Sequence, residues 1–222
     1  MHATAAALLL AAGCAAAQTP PTAAEAAAYT GAHAAAWRGD AAALARAPRA
    51  ELALRDANGR TPLHVAAFAR RRDAIRALAT AGADLAALDN DRYDAVTIAA
   101  VADDEETLRT LLAAGASAKL ITSRYDGTAL IAAAHLGHDG VVRQLIAAGA
   151  PLDPVNNLHW TALIESIVLG DGGPRHQATL KALLDAGAST RLTDRSGRTP
   201  LQLAQGRGYD AMVKLLQAAG AQ

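Results

Sequence analysis

The sequence is dominated by one unit that recurs at intervals of 31, 33, 34, 33 and 38 residues. In its clearest copy, a turn at Asp56–Gly59 precedes Thr61 and Pro62, which suit the N-cap and the first position of a helix. Apolar residues then follow at helical spacing, and a second amphipathic helix ends at Gly82. A unit of this size cannot bury its own apolar face, so the pattern predicts a stack of such units.

Two positions of the unit can be followed along the whole chain. The residues that align with His64 are His33, Thr97, Ile131, Ile164 and Gln202. The glycines expected to end the second helices are Gly82, Gly115, Gly149, Gly187 and Gly220. This regular spacing predicts six repeats, the first and the last serving as caps.

Three stretches resemble the ankyrin repeat: Thr61–Ala67 (TPLHVAA), Thr199–Leu201 (TPL) and Leu136–Val142 (LGHDGVV). The resemblance covers residues 25–222. It implies an all-α ankyrin-repeat solenoid of helix-turn-helix repeats with projecting β-turn hairpins, and hydrogen bonds from His64 that tie neighbouring repeats. The expected repeats are 25–55, 56–88, 89–122, 123–155, 156–193 and 194–222. The fifth contains about five extra residues around Gly170–Pro174, interpreted as a longer surface loop or, alternatively, a partner contact.

Residues 1–17 are interpreted as a signal peptide or lipoprotein leader, followed by a linker at 18–24. A short apolar run precedes Ala15–Ala17, a small-residue cleavage site, and Leu10–Cys14 is similar to a lipobox with Cys14 as candidate lipidation residue. We therefore expect a periplasmic protein or an outer-membrane lipoprotein, with secretion as the alternative. No apolar run approaches the roughly 20 residues of a membrane-spanning helix, so membrane contact is expected only through lipid at Cys14.

The charges balance, with 21 Lys and Arg against 21 Asp and Glu. Such a chain lacks the broad basic footprint that nucleic acid binding requires, and we predict no nucleic acid partner. Arg70–Arg72 and Asp103–Glu105 lie one repeat apart. They predict ion pairs between adjacent repeats, or alternatively a dipolar surface for a partner.

The sequence contains no recognisable catalytic or metal-binding set. His135 and His138 have a spacing that metal ligands use, but no cysteine or carboxylate completes the group. No serine lies in a Gly-x-Ser-x-Gly motif, and Gly170–Pro174 lacks the ending of a phosphate-binding loop. We predict no metal, no cofactor and no enzymatic activity; an enzyme with an unrecognised site in the Gly170 loop is the unfavoured alternative.

Aromatic residues in the predicted turns favour protein binding, because exposed aromatic side chains often anchor interfaces. Tyr93, Tyr125 and Trp160 are expected to form a recognition stripe, with packing on neighbouring hairpins as the alternative. The full set of expected partner contacts is Arg60, Phe68, Tyr93, Arg124, Tyr125, His159, Trp160 and Arg198. The predicted function is a monomeric protein–protein interaction module of the bacterial envelope that uses the hairpin tips and the concave helix face. A secreted effector or immunity protein with the same surface is the alternative.

Overall fold

The computed structural model describes residues 18–222 of the protein. The predicted leader, with the candidate lipidation residue Cys14, lies outside the described residues. Within the described range the chain is a helical solenoid, and its only strands are β1 (Ile121–Thr122) and β2 (Gly127–Thr128). These strands pair antiparallel, with Ile121 opposite Thr128. The predicted all-α solenoid of helix-turn-helix repeats is confirmed.

The helices follow one another in pairs. In chain order they are α1 (Ala23–Ala28), α2 (Gly31–Arg38), α3 (Ala41–Ala45), α4 (Arg49–Leu52), α5 (Pro62–Phe68), α6 (Arg72–Thr80), α7 (Ala95–Val101), α8 (Glu105–Ala113), α9 (Ala129–Leu136), α10 (Asp139–Ala147), α11 (Ala162–Val168), α12 (Pro174–Asp185), α13 (Pro200–Gly206) and α14 (Asp210–Ala218). The first helices of successive pairs (α2, α5, α7, α9, α11 and α13) pack against one another in one layer. The second helices (α3, α6, α8, α10, α12 and α14) form the other layer.

The predicted register of the repeats matches the helix ends. The N-cap residues of the six first helices are Thr30, Thr61, Asp94, Thr128, Thr161 and Thr199. After the second helices, the φ angles are 85° at Gly82, 97° at Gly115, 78° at Gly149, 92° at Gly187 and 81° at Gly220. This left-handed region is costly for other residues, which explains why glycine recurs there.

One leucine of every second helix lies at the centre of the stack. These residues, each 0% exposed, are Leu44, Leu78, Leu111, Leu145, Leu183 and Leu216. Full burial of a leucine side chain contributes about 1.5–3 kcal/mol. Small alanines fill the space between first helices, so a single hydrophobic core runs through all repeats.

The turn before each first helix is organised by one short polar side chain. In the second repeat, Asp56 Oδ1 accepts hydrogen bonds from the N–H groups of Asn58 and Arg60, both at 2.9 Å. The equivalent residues in the next four repeats are Asp89, Ser123, Asn156 and Asp194. Neighbouring turns are also joined, since the Asn90 N–H donates to the Asn58 carbonyl at 3.0 Å. Ser123 donates in the same way to Arg92, and Asn157 to Tyr125, so the turns of repeats two to five form a ladder of hydrogen bonds.

His64 ties the second repeat to the third, as the resemblance implies. Its Nδ1 lies 2.8 Å from Thr61 Oγ1, and its Nε2 lies 2.9 Å from the Tyr93 carbonyl oxygen. His33 makes the corresponding contact one repeat earlier, with its Nε2 at 2.9 Å from the Arg60 carbonyl oxygen. Burial lowers the pKa of His64 to about 4, so the imidazole is neutral at pH 7.

The segment predicted as a linker is part of the fold. A helix already begins at Ala23, and Thr22 forms a capping box with Glu25. The Thr19 carbonyl accepts a hydrogen bond from Arg60 at 3.1 Å. The expected boundary at 24 is therefore too late, because a side chain from the second repeat holds the preceding residues.

The predicted ion pairs between repeats two and three centre on Asp104 alone. Its carboxylate lies 3.4 Å from Arg70 Nε and 3.5 Å from an Arg72 nitrogen. Asp103 instead pairs with Arg175 of the fifth repeat at 2.7 Å. Glu105 accepts a hydrogen bond from Gln144. The three carboxylates of the third repeat therefore contact repeats on both sides of it.

Candidate functional site

The candidate site is the surface formed by the hairpin turns and the six first helices, which we name the first-helix face. The expected contact residues fall into three groups there. The exposed members are Arg124, His159 and Arg198; the half-buried ones are Phe68, Tyr125 and Trp160; and the buried ones are Arg60 and Tyr93.

Among residues 18–222, no helix has the length and apolar character needed to span a bilayer.

Arg60 is not a surface residue, so its expected exposure is wrong. The side chain is 1% exposed, and its guanidinium lies 2.6 Å from both Glu25 Oε1 and Asp56 Oδ2. Tyr29 donates a further hydrogen bond to Asp56 at 2.8 Å. Arg60 therefore holds the first repeat against the second hairpin, which leaves it unavailable to a partner.

Tyr93 is also buried, so the expectation that it forms part of an exposed aromatic stripe is wrong for this residue. Its side chain is 5% exposed and belongs to the hydrophobic core. The three aromatics are not equivalent either. Tyr93 and Trp160 each end a turn, since their carbonyls accept from the Asp89 and Asn156 N–H groups, whereas Tyr125 lies at a turn tip. Trp160 packs partly against the core.

The exposed members of the predicted set lie at or beside the turn tips. Arg124 forms an ion pair with Asp91 of the preceding turn. Arg198 pairs with Asp194 at 2.7 Å, and 58% of its side chain is exposed. His159 is exposed with φ at 65°, a left-handed conformation. Their role in binding remains a prediction.

A row of apolar side chains crosses the first-helix face. It occupies the seventh position after the N-cap of four first helices, where the half-buried residues are Trp37, Phe68, Val101 and Val168. In α5, Phe68 is the one residue that is not buried. Trp37 and Phe68 are the aromatic members of the row, and Val101 and Val168 extend it to the third and fifth repeats.

A pocket of about 40 Å³ opens between the hairpins and first helices of repeats three to five. Tyr93 and Tyr125 both line it, so the structure brings these two predicted residues together. The other lining residues that matter for its chemistry are apolar Val101, Ala132 and Leu136 and polar His135, Asn156 and Glu165.

Glu165 is the pocket residue that sequence reasoning missed. It is 4% exposed and lies on α11, four residues after the N-cap Thr161. At this position the other repeats carry Ala34, Val65, Ile98, Ala132 and Leu203. The only sign of this site in the sequence was therefore a carboxylate at a repeat position that is apolar in the other repeats.

The pocket holds an acid and a base that are both neutral at pH 7. Asn156 Nδ2 donates to Glu165 Oε1 at 2.7 Å, whereas Oε2 lies 3.7 Å from His135 Nδ1, beyond hydrogen-bonding distance. Burial raises the pKa of Glu165 to about 8. Burial lowers the pKa of His135 to about 4, and the charges of His176 and His138 act in the same direction. Since desolvation dominates both groups, this contact is not an ion pair at pH 7.

The histidines near the pocket have structural partners. His138 Nδ1 lies 2.9 Å from the Ala100 carbonyl oxygen. His176 lies 2.9 Å from the His135 carbonyl oxygen and 2.8 Å from Asp171. Over residues 18–222, no group of three His, Cys, Asp or Glu residues is placed to hold a metal ion.

The extra loop of the fifth repeat is fastened to its neighbours. Tyr209 donates a hydrogen bond to the Gly170 carbonyl at 2.9 Å, and Gln177 donates to the Gly172 carbonyl at 2.7 Å. The loop ends where Pro174 begins α12, the longest second helix among the described residues. Part of the insertion therefore extends a helix.

Comparison with protein families assigns the repeats. A family model described as "Ankyrin repeats (3 copies)" matches residues 32–122, 96–194 and 131–222. The ankyrin repeat protein YahD of Escherichia coli K12 is 44% identical over 100 residues, 45% of this chain and 50% of that protein. An ankyrin repeat-containing protein of Treponema pallidum is 35% identical over 97 residues, 43% of this chain and 31% of that protein. Each match thus spans half or less of these relatives.

Solved structures share the fold over most of the chain. An ankyrin repeat domain from Acinetobacter baumannii has 43% identity and a TM-score of 0.79, covering 86% of this chain and 98% of that one. The Bcl-3 ankyrin repeat domain has 28% identity and a TM-score of 0.76, covering 88% of both chains. A chain from the complex of a Bdellovibrio bacteriovorus predatory endopeptidase with an immunity protein has 25% identity and a TM-score of 0.69, covering 86% of this chain and 98% of that one.

Proposed function

This chain belongs to the ankyrin repeat family, and we propose that it binds a protein partner through its first-helix face. Ankyrin repeats are protein–protein interaction modules. The observation that carries the proposal is the row of half-buried apolar side chains at one position of four first helices. Stacked repeats hold such a row on a stiff scaffold, so little conformational entropy is lost on binding.

The composition of this face fits an interface. Trp37 and Phe68 supply large apolar side chains near one end, and Tyr125 and Trp160 supply two more along the hairpins. Aromatic residues are enriched in the cores of interfaces and charged groups in their rims. The exposed tip residues Arg124, His159 and Arg198 are suited to the rim.

We further propose an envelope location, based on the predicted leader at residues 1–17. The similarity to bacterial ankyrin repeat proteins supports a bacterial setting. One structural relative comes from a complex between an endopeptidase and an immunity protein, which favours an immunity or effector role as the second candidate. Fractionation of cells that express the full chain separates these proposals: the envelope role predicts the protein in the periplasm or outer membrane, and the secreted-effector role predicts it in the culture supernatant.

The binding proposal is tested with the partner captured from the source cells. The tagged full chain is cross-linked in vivo, the bound protein is identified by mass spectrometry, and its affinity for the purified chain is measured by calorimetry. Single changes Trp37→Ala and Phe68→Ala should each weaken binding about 10-fold or more, as anchor residues do.

The matched controls lie on the other helix layer. Arg109→Ala on α8 and Lys181→Ala on α12 change exposed side chains of second helices. They should leave the affinity within about 2-fold. If these controls weaken binding and the first-helix variants do not, the partner binds the opposite surface and the proposal is wrong.

A further inference from the structure

We propose that the pocket of repeats three to five receives the terminal ammonium group of a lysine from the protein partner, with the Glu165 carboxylate as its counter-ion. The inference rests on the proposed function, since it names the side chain that the first-helix face recognises. It assigns a specific role to the residues at which this stack departs from its own repeat pattern.

Three departures from the repeat create the pocket. Ala132 is the one half-buried residue in a column whose other members are buried. Glu165 places a carboxyl group in the same column, one repeat later. His135 occupies the position of the apolar row, which carries Trp37 and Phe68 in the first two repeats. Local violations of an otherwise consistent pattern are expected at functional sites rather than in the core.

The size and walls of the pocket fit the end of an unbranched side chain. About 40 Å³ is room for roughly three water-sized groups, since one water needs about 10–15 Å³. Val101, Ala132 and Leu136 offer apolar contacts to methylene groups. A lysine side chain combines a methylene stem with a compact three-donor head.

The polar groups in the pocket favour a cation. Glu165 Oε2 faces His135 Nδ1 at 3.7 Å, which is too far for a hydrogen bond between these two atoms. Asn156 donates only to the other oxygen. An ammonium group would supply a charge-assisted hydrogen bond that a neutral donor cannot match. An anionic side chain is disfavoured, since no Lys or Arg of residues 18–222 lines the pocket.

Binding would be linked to proton release. Burial raises the pKa of Glu165 to about 8, so the carboxyl is protonated in the empty pocket at pH 7. The neutral acid and the incoming ammonium would give a carboxylate–ammonium pair and one proton released to solvent. The titratable groups that line the pocket with Glu165 are His135 on α9, 3.7 Å from Glu165 Oε2, and the phenols of Tyr93 and Tyr125. His176 on α12 and His138 at the start of α10 act on His135. Burial lowers the pKa of His135 to about 4, so this imidazole is already neutral at pH 7 and the released proton originates from Glu165.

Small probes test the pocket without the partner. We expect n-butylamine to bind the full chain with millimolar affinity at pH 7, at least 10-fold more tightly than n-butanol. Calorimetry in two buffers of different ionisation enthalpy should show release of about 0.9 protons per bound amine, from a pKa of about 8. In Glu165→Gln, amine affinity should fall at least 10-fold and proton release should disappear. Equal binding of amine and alcohol, or undiminished amine binding to Glu165→Gln, would overturn the proposal.

The captured partner separates this inference from the proposed function. Glu165→Gln should weaken partner binding at least 10-fold, and acetylation of the partner's lysines should abolish the difference between wild type and variant. If Phe68→Ala weakens partner binding and Glu165→Gln does not, the lysine pocket is wrong and the proposed surface stands. If neither change affects binding, the proposed surface is itself wrong.

Discussion

Glu165→Gln should remove a pH dependence from the stability of the protein. Burial raises the pKa of Glu165 from 4.5 to about 8, so the folded state binds one more proton than the unfolded state between these values. Such a group stabilises the fold fully below pH 4.5, and the stabilisation is lost as pH rises through 8. The unfolding free energy of wild type should therefore decrease from neutral to alkaline pH.

The size of the effect follows from the pKa of about 8. Between pH 7 and pH 9, the contribution of Glu165 to the unfolding free energy decreases by the equivalent of about one pKa unit, which is about 1.4 kcal/mol. His64 and His135, with pKa values lowered to about 4, act in the opposite direction, mainly below pH 7. Their contribution cancels when wild type and Glu165→Gln are compared at each pH, because both proteins retain these histidines.

Urea denaturation at pH 7, 8 and 9 measures the change. The difference in unfolding free energy between Glu165→Gln and wild type should shift by about 1.4 kcal/mol in favour of the variant from pH 7 to pH 9. Glu106→Gln is the matched control, since Glu106 is 60% exposed and pairs with Arg109 on the surface. A constant difference for Glu165→Gln across the three pH values would refute the assignment of a buried, protonated acid.

Three further changes test how the repeats are held together. Arg60→Ala should destabilise the first repeat by leaving Glu25 and Asp56 without their common partner, and hydrogen exchange should accelerate at residues 18–29; unchanged protection there would show that Arg60 does not hold the first repeat. His64→Ala should cost about 2–3 kcal/mol in urea denaturation by removing the tie to the third repeat; a loss below 0.5 kcal/mol would contradict that role. Gly59→Ala should lower the melting temperature more than Gly197→Ala. The two glycines have similar φ angles, 72° and 75°, but only at Gly59 would the new Cβ meet another residue, lying 2.8 Å from the backbone nitrogen of Asn90. Equal losses would show that contact with the next turn is unimportant.

Much of the fold could be predicted because it is encoded locally and repeatedly. Thr61 and Pro62 start a helix and Gly82 ends the next one through their own backbone preferences, and the period places every other copy. Apolar columns then determine which face each helix buries. This reasoning predicts helix pairs and register without any knowledge of contacts between distant residues.

The candidate site was harder to predict because it depends on contacts between repeats. Arg60 looks like an exposed turn residue until Glu25, 35 residues earlier, is placed against it. Tyr93 is buried in the hydrophobic core, and turn composition does not show this. In the sequence, Glu165 stands out only as a carboxylate at a repeat position that is otherwise apolar. Its burial is known only from the structure. Local pattern predicts the scaffold better than the chemistry of its surface.

The ladder of hydrogen bonds between turns joins each repeat only to its immediate neighbours. Disorder in such a stack begins at the ends, where the last first helix has one neighbour and exposes Gln202 and Gln205. The Glu165 pocket is built from three consecutive middle repeats, remote from both termini. A partner side chain bound in this pocket would contact all three repeats. Binding should therefore slow the unfolding of the stack when the chain is pulled from its ends.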